Sequence, residues 1–375
     1  MLWKTSPAAT ELEQLTLDWL RQLVGLRQSW FGIITDTASI SSMLAIAAAR
    51  ERRPELEIRQ RGMAGRVDLP TMRVYCSEHA HSSIDKGAIA LGLGAENVVH
   101  VGADADYRMR PDALSSAIEA DLARGMLPLA VVATVGTTST TSIDPVPEIV
   151  QVCRRHDVWL HVDAAYGGVA AVVPELRFIM DGVDEADSLV MNPHKWLLTP
   201  MDCSALYTRH PQVLKRAFAL VPDYLVTSVG DEAVDFMNYG VQLGHRFRAL
   251  KLWAVMRSFG ADGLASVIRQ HCALATQFEG WIRSNDQWEV VAPTTLSVVC
   301  FRYKASDAVN MAILDRVNCS GRVYLSHTKL HGRVVLRLAI GNARTDERHV
   351  GEAWRLLQQE AQQAASNEPA APARG

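Results

Sequence analysis

No uninterrupted apolar run among the 375 residues approaches the ~20 that a helix needs to cross a bilayer. The N-terminal stretch "MLWKTSPAATELE" has one lysine and no apolar core, so it does not read as a secretory leader. Basic runs are also missing. The formal net charge of -3 comes from interspersed signs, which argues against nucleic acid or a membrane surface as a partner. The six cysteines, Cys76, Cys153, Cys203, Cys272, Cys300 and Cys319, show no C-x-x-C spacing, so neither a zinc site nor a disulfide framework is indicated. Runs such as "VYCS" and "VVCF" set thiols among apolar neighbours, as reduced core residues. No repeat is visible. With 48% hydrophobic and 21% charged residues, the composition is that of an ordinary globular chain long enough for one large domain and a smaller one. A cytoplasmic enzyme is the expected class.

The first 210 residues alternate. "SPAATELEQLTLDWLRQLV" has leucines near helical spacing, and "ASISSMLAIAAARERR" reads as a second helix behind a hydroxyl-rich start. The short apolar runs "MRVYC", "NVVHV", "LAVVATVG", "VWLHVDAA" and "SLVMN" then read as strands, most of them separated by helical segments over 82–92, 110–124 and 147–156. Continuous rather than alternating apolar strands predict a mainly parallel sheet covered on both faces, an α/β architecture. The long stretch "RFRALKLWAVMRSFG" ends at Gly260. Beyond it the pattern is helix, strand ("LSVVCFRY"), helix ("DAVNMAILDRVN"), two strands ("RVYLSH", "RVVLRLAI") and a final helix. The expected division is a large domain over 1–257, a smaller C-terminal α+β domain over 258–364, and a polar, Ala/Pro-rich tail over 365–375 that is expected to be disordered.

Three strand ends carry unusual residues, and ligands of α/β sheets gather at the C-terminal ends of parallel strands. "VWLHVDAAYGG" puts Asp163 directly after apolar strand residues, where an unpaired carboxylate costs several kcal/mol. "SLVMNPHKWLLTP" ends a strand with Asn192, Pro193, His194, Lys195 and Trp196, and a lysine partly desolvated beside a tryptophan is a possible Schiff-base amine. "VATVGTTSTTSIDP" continues into Gly136 and a run of hydroxyls. A buried acid with a Schiff-base lysine is the pair that holds pyridoxal phosphate, the acid meeting the pyridinium nitrogen. Taken singly, Asp163 also reads as a turn residue and Lys195 as a solvated charge. "EHAHSSID" leaves a metal reading open as well, because His79 and His81 would share one side of an extended chain, with Asp85 four residues on.

"HVDAAYGG", "NPHKWLL.P.DCSALY" and "EHAHSS" together resemble the pyridoxal-phosphate-dependent group II amino-acid decarboxylases of the fold-type I superfamily, in the aromatic-L-amino-acid branch. The resemblance runs from "SPAATELEQLTLDWL" through "LGHRFRALKLW" to "LRLAIGNARTDERHV". It implies a fold-type I PLP-dependent transferase-like large domain, a homodimer, and decarboxylation of an aromatic L-amino acid to an arylalkylamine and carbon dioxide. It assigns the Schiff base to Lys195, the pyridine nitrogen to Asp163, one ring face to Ala165 and the other to His81. Thr138 falls near the ring's O3′ side, Ala38 and Ser39 in the phosphate loop at a helix start, and Asn192 and His194 on the phosphate side. Tyr224 matches a mobile-loop tyrosine that reaches the partner subunit's active site and protonates Cα. Family members with phenylalanine there become aldehyde synthases that use oxygen and release ammonia, so Tyr224 with His81 favours simple decarboxylation.

On this reading no metal is expected: His79 becomes a polar neighbour, and Asp85 belongs to the first turns of the following helix. Asp36 stands where a small residue is common and is expected to cap the helix that follows. His245, Arg246 and Arg248 are read on one helix, facing either a partner or solvent. The family also carries a helical segment ahead of "SPAATELE" that wraps the partner subunit and lines part of the substrate pocket. This sequence begins just before that motif, so dimer stability and substrate choice are the properties expected to depend on it. The competing readings are an aldehyde synthase, a decarboxylase of a non-aromatic amino acid, a metal-dependent hydrolase using His79, His81 and Asp85, and a shortened, catalytically impaired homologue.

Overall fold

The apolar runs of the first 210 residues become strands. In the computed structural model, which describes residues 2–220 and 233–366, these are β1 (Phe31–Thr35), β2 (Met72–Ser77), β3 (Val98–Val101), β4 (Leu127–Thr134), β5 (Trp159–Asp163), β6 (Ser188–Met191) and β7 (Ser204–Thr208). They form one seven-stranded sheet in the order β1-β7-β6-β5-β4-β2-β3. Pairings β2/β3, β2/β4, β4/β5 and β5/β6 are parallel, and β7 runs antiparallel to both β6 and β1. Every residue of β5, β6 and β7 is buried, as strands covered on both faces must be.

The helices are α1 (Pro7–Leu23), α2 (Ala38–Glu51), α3 (Ile58–Arg61), α4 (Ser83–Ala90), α5 (Pro111–Ala123), α6 (Val146–His156), α7 (Pro193–Trp196), α8 (Pro211–Phe218), α9 (Ala249–Arg283), α10 (Asp307–Cys319) and α11 (Glu347–Ser366). Helix α2 bears most directly on function. Its alanines and Leu44 and Ile46 are buried, and small side chains let it lie close on the sheet. Two serines on its buried face bond downward. Ser41 Oγ meets Thr35 Oγ1 at 2.7 Å and Ser204 Oγ at 3.1 Å, while Ser42 Oγ meets His161 Nε2 at 3.1 Å.

Strands β1 and β7, the antiparallel end of the sheet, lie outside the strands expected from sequence. Strand β1 is held from below by α1, where Glu13 is fully buried: its Oε1 accepts the Ile34 N–H at 3.1 Å and its Oε2 pairs with His245 Nε2 at 3.0 Å. His245, Arg246 and Arg248 precede α9 rather than sitting on it. Arg248 turns inward, reaching both carboxylate oxygens of Asp202 at 3.1 Å.

The chain divides into two units, one of the residues up to Thr138 with Ser142–Ala265, the other of Ser139–Thr141 with the chain from Ser266 onward. Helix α9 loses helical geometry at Gly260 (φ 64°), where the sequence places the end of its long amphipathic stretch. The second unit is α+β. An antiparallel sheet in the order β10-β11-β9-β8, with β8 (Trp288–Val290), β9 (Val298–Tyr303), β10 (Ser326–Leu330) and β11 (Arg333–Ala339), packs around Phe278, Phe301, Leu336 and Leu357. The strand expected over 322–327 begins at Ser326 instead. His331 and Gly332, both at positive φ (48° and 75°), make a two-residue turn that sets the register Leu330↔Arg333.

One glycine is required by close approach. After β4 the chain turns at Gly136 (φ +86°), where a Cβ would lie 2.9 Å from the Gly167 amide nitrogen. Gly136→Ala should therefore destabilise the protein by roughly 1–3 kcal/mol, read as a lower midpoint in chemical denaturation. An unchanged midpoint would mean the turn is looser than this packing requires.

Candidate functional site

Side chains two apart on a strand share a face, so Trp159, His161 and Asp163 form a row along β5. The Nε2 of His161 contacts α2 through Ser42, which places the row beneath that helix. Across the parallel ladder Thr134 of β4 and Val190 of β6 stand opposite Asp163. Asp163 is buried, and its Oδ1 accepts the Ala165 N–H at 3.0 Å.

The turns beyond β5 and β6 are laced together: Ala164 N–H donates to Val190 O, and Asn192 N–H to Ala165 O, both at 3.0 Å. Ala165, Val190 and Ala38 form a small buried apolar cluster, the floor of the region. Two polar atoms along this floor, Thr134 Oγ1 and Asn192 Oδ1, are buried with no hydrogen-bond partner. Buried orphans of this kind call for an explanation, and a bound polar group is one.

Asn192 leads into α7, whose Trp196 is fully buried and stacks on Tyr166 with ring centres 5.0 Å apart and planes 3° apart. Lys195 is exposed. The expected desolvation of this amine against Trp196 is therefore absent in the single chain, because the indole turns into the core. His194 is anchored to the start of β7: its Nδ1 accepts the Cys203 N–H at 2.8 Å, which puts the ring proton on Nε2. Burial, reinforced by the nearby Lys195 charge, lowers its pKa.

The β1–α2 junction corrects a further expectation. Asp36 does not cap α2. Thr37 is the N-cap, with no side-chain bond to the first turn, and Asp36 Oδ1 instead accepts the Thr37 N–H at 2.7 Å. The helix begins at buried Ala38 and exposed Ser39, and no side chain caps its first-turn amides. Such an end, with its positive dipole, suits an anion.

Asp144, unplaced by sequence reasoning, fixes the third strand end. Its two carboxylate oxygens accept the Met109 and Thr134 N–H groups, each at 2.7 Å, while its own N–H returns to Thr134 O. Burial raises its pKa to about 6 against the opposing pull of those two bonds. The turn it holds presents buried Gly136 and Thr137 and exposed Thr138.

The two histidines of "EHAHSSID" part company. They follow β2 on a turn, not a strand, so the alternation that a ligand pair would need is missing. His79 meets Tyr107 edge-on at 5.3 Å. His81 is exposed, and its Nδ1 accepts the Ser83 N–H at 3.1 Å, with Ser83 Oγ at 2.8 Å. The bond from the amide leaves the proton on Nε2. Asp85 sits in the first turn of α4 and pairs with His100 at 3.0 Å. Among the described residues no three such side chains come together as a metal-binding group. Tyr224 lies outside the described residues.

The set therefore comprises a buried acid, an apolar floor, two orphaned polar atoms, an open helix N-terminus and an accessible amine. These fit a flat heteroaromatic aldehyde phosphate. His161, Thr134 and Ser42 were not singled out from the sequence. The i, i+2 relation of His161 to Asp163 in "HVD" was the available signal for the first of them.

Comparison with known proteins agrees. The model of the pyridoxal-dependent decarboxylase conserved domain matches residues 1–304. Tryptophan decarboxylase 2 of Oryza sativa subsp. japonica is 42% identical over 376 residues, 96% of this chain and 74% of the relative. A crystal structure of Oryza sativa TDC with PLP and tryptamine superposes with TM-score 0.91 at 38% identity, over 96% of this chain and 78% of that one. The structure of Rhodiola rosea 4-hydroxyphenylacetaldehyde synthase gives TM-score 0.87 at 33% identity, over 96% of this chain and 77% of that one.

Burial pushes His161 down to about 4, with Asp163 opposing. Above the unfolded value near 6.5 both states are neutral. As pH falls toward 4, the unfolded chain takes a proton that the folded chain refuses, and stability is lost. The stability advantage of the protein over its His161→Gln variant should therefore shrink by roughly 2–3 kcal/mol between pH 7 and pH 4.5 in parallel urea titrations. A pH-independent difference would show that His161 takes up its proton as readily in the fold as in the unfolded chain.

Proposed function

Because the chain belongs to the pyridoxal-dependent decarboxylases, a family of PLP-dependent carboxy-lyases, we propose that it converts an aromatic L-amino acid of the Trp/Tyr/Phe/DOPA type to the arylalkylamine and carbon dioxide. The observation that carries the proposal is the row at the C-terminal strand ends, where Asp163 stands between Thr134 and Val190 above the Ala38–Ala165–Val190 floor and beside an uncapped helix N-terminus.

Bound there, pyridoxal phosphate supplies an electron sink for the pair left at Cα when the carboxylate departs. Lys195 would hold it through its exposed amine, and Asp163 would keep the ring nitrogen protonated, gaining the cationic partner a buried carboxylate needs. Ala165 would contact one ring face. His81, its ring oriented by Ser83, would cover the other and offer Nε2–H toward the substrate carboxylate. The first-turn amides of α2 at Ala38 and Ser39, with Asn192 and the Nε2–H of His194, would take the phosphate. Thr138 would lie by the ring hydroxyl. Tyr224 would return a proton to Cα once carbon dioxide has left, acting from the partner subunit of a homodimer.

A cytoplasmic location is part of the same reading. All six cysteines are free and four of them buried, as suits a reducing compartment. No described helix is long and apolar enough to cross a membrane.

A second reading, an aromatic aldehyde synthase, is favoured by the likeness to the Rhodiola enzyme and by a phenylacetaldehyde synthase from Arabidopsis thaliana that is 39% identical. The chemistry divides at Cα, where protonation gives the amine, while two-electron oxidation by oxygen, which becomes hydrogen peroxide, followed by hydrolysis gives aldehyde and ammonia. A phenol at position 224 supports the first outcome. Tyr224→Phe should accordingly lower the amine yield about tenfold or more and raise aldehyde and ammonia together. An unchanged amine yield would remove Tyr224 from the proton-donor role.

A further inference from the structure

We propose that His161 is a positioning residue for the phosphate end of the cofactor: as a neutral imidazole it pins the first turns of α2 to the strand that carries Asp163. This rests on the proposed use of the α2 N-terminus for phosphate and of Asp163 for the ring. The geometry is a bonded chain through the interior. Trp159 Nε1–H donates to Ser188 Oγ at 2.9 Å, Ser188 Oγ lies 2.9 Å from His161 Nδ1, and His161 Nε2 lies 3.1 Å from Ser42 Oγ. Ser188 Oγ accepts from the indole and keeps both its own proton and a second lone pair, so either tautomer of a neutral His161 can bond to both serines. His161, Ser188 and Trp159 are buried almost completely, as is Ser42, which leaves the network shielded from water.

Ser42 sits one turn inside α2, directly below the open amides of its N-terminus. The face around it is mostly alanine and leucine, which fix packing distance but neither rotation about the helix axis nor sliding along it. The neighbouring Ser41–Thr35–Ser204 contacts tie the same turn to β1 and β7. The bond to His161 ties it to β5, two residues from Asp163. Phosphate and ring sites are thereby held at a fixed separation by one hydrogen-bonded link.

The test measures affinities of the full-length apo-protein for pyridoxal 5′-phosphate and for pyridoxal, which has the same ring and aldehyde without the phosphate. Ser42→Ala removes the hydroxyl with little risk to folding, and His161→Phe fills the space without bonding. Each should weaken pyridoxal phosphate binding roughly threefold to tenfold, the worth of one hydrogen bond, and leave pyridoxal binding within twofold. The double variant should be no weaker than His161→Phe alone, because both changes break the same link. Equal weakening of both compounds would reduce His161 to a general structural role. Additive losses, or none, would likewise overturn the assignment. If the unmodified protein itself shows no preference for the phosphorylated compound, the underlying reading of the cofactor site fails instead.

Discussion

A carboxylate buried at the end of a central parallel strand sets the terms for everything around it. Asp163 accepts a backbone N–H from Ala165, which does not balance the charge of an ionised acid taken out of water. The surrounding structure keeps the acid in place. Register puts Thr134 and Val190 on either side, Asp144 clamps the end of β4, and the interlaced turns after β5 and β6 close the floor. On the proposed reading a cationic ring nitrogen is its partner, and the uncapped α2 terminus and the exposed Lys195 amine would supply two further attachments for a pyridoxal phosphate.

The strand ends were legible in the sequence because buried parallel strands read as continuous apolar runs, and a charge at the end of such a run is conspicuous. "HVDAA" and "NPHKW" show this directly. The antiparallel end of the sheet was harder: β1 pairs only with β7, and "FGIIT" and "SALYT" mix glycine, serine and threonine into their apolar residues, so neither reads as a continuous apolar run. Exposure was also hidden. "NPHKW" sets Lys195 beside a tryptophan, but the Trp196 ring stacks inward on Tyr166 and leaves the lysine open. Asp36 looked like a helix cap because residue type and distance from the helix were right, yet the helix begins one residue later and Thr37 takes that place. The link through His161 depends on Ser42 and Ser188, which lie 119 and 27 residues away in the chain, and no local pattern reveals such a contact.

The likeness to both decarboxylases and aldehyde synthases has a physical basis. On the proposed reading one acid, amine and anion site would serve either outcome, since the carboxylate leaves in the same way. The outcome turns on whether a proton or oxygen reaches Cα afterwards, which is decided by the few side chains above the ring. On the proposed reading those groups in this chain would be His81, fixed in the Nε2–H form by the Ser83 amide, and Tyr224.

The most direct measurement supplies the purified protein with pyridoxal phosphate and a panel of L-amino acids, and follows carbon dioxide, amine, aldehyde and ammonia together. Carbon dioxide and amine should appear in about equal amounts from an aromatic member, and Lys195→Ala should abolish both, along with the visible absorption of the bound cofactor. The proposed function would be contradicted by aldehyde and ammonia matching the carbon dioxide, or by turnover and absorption that survive loss of Lys195.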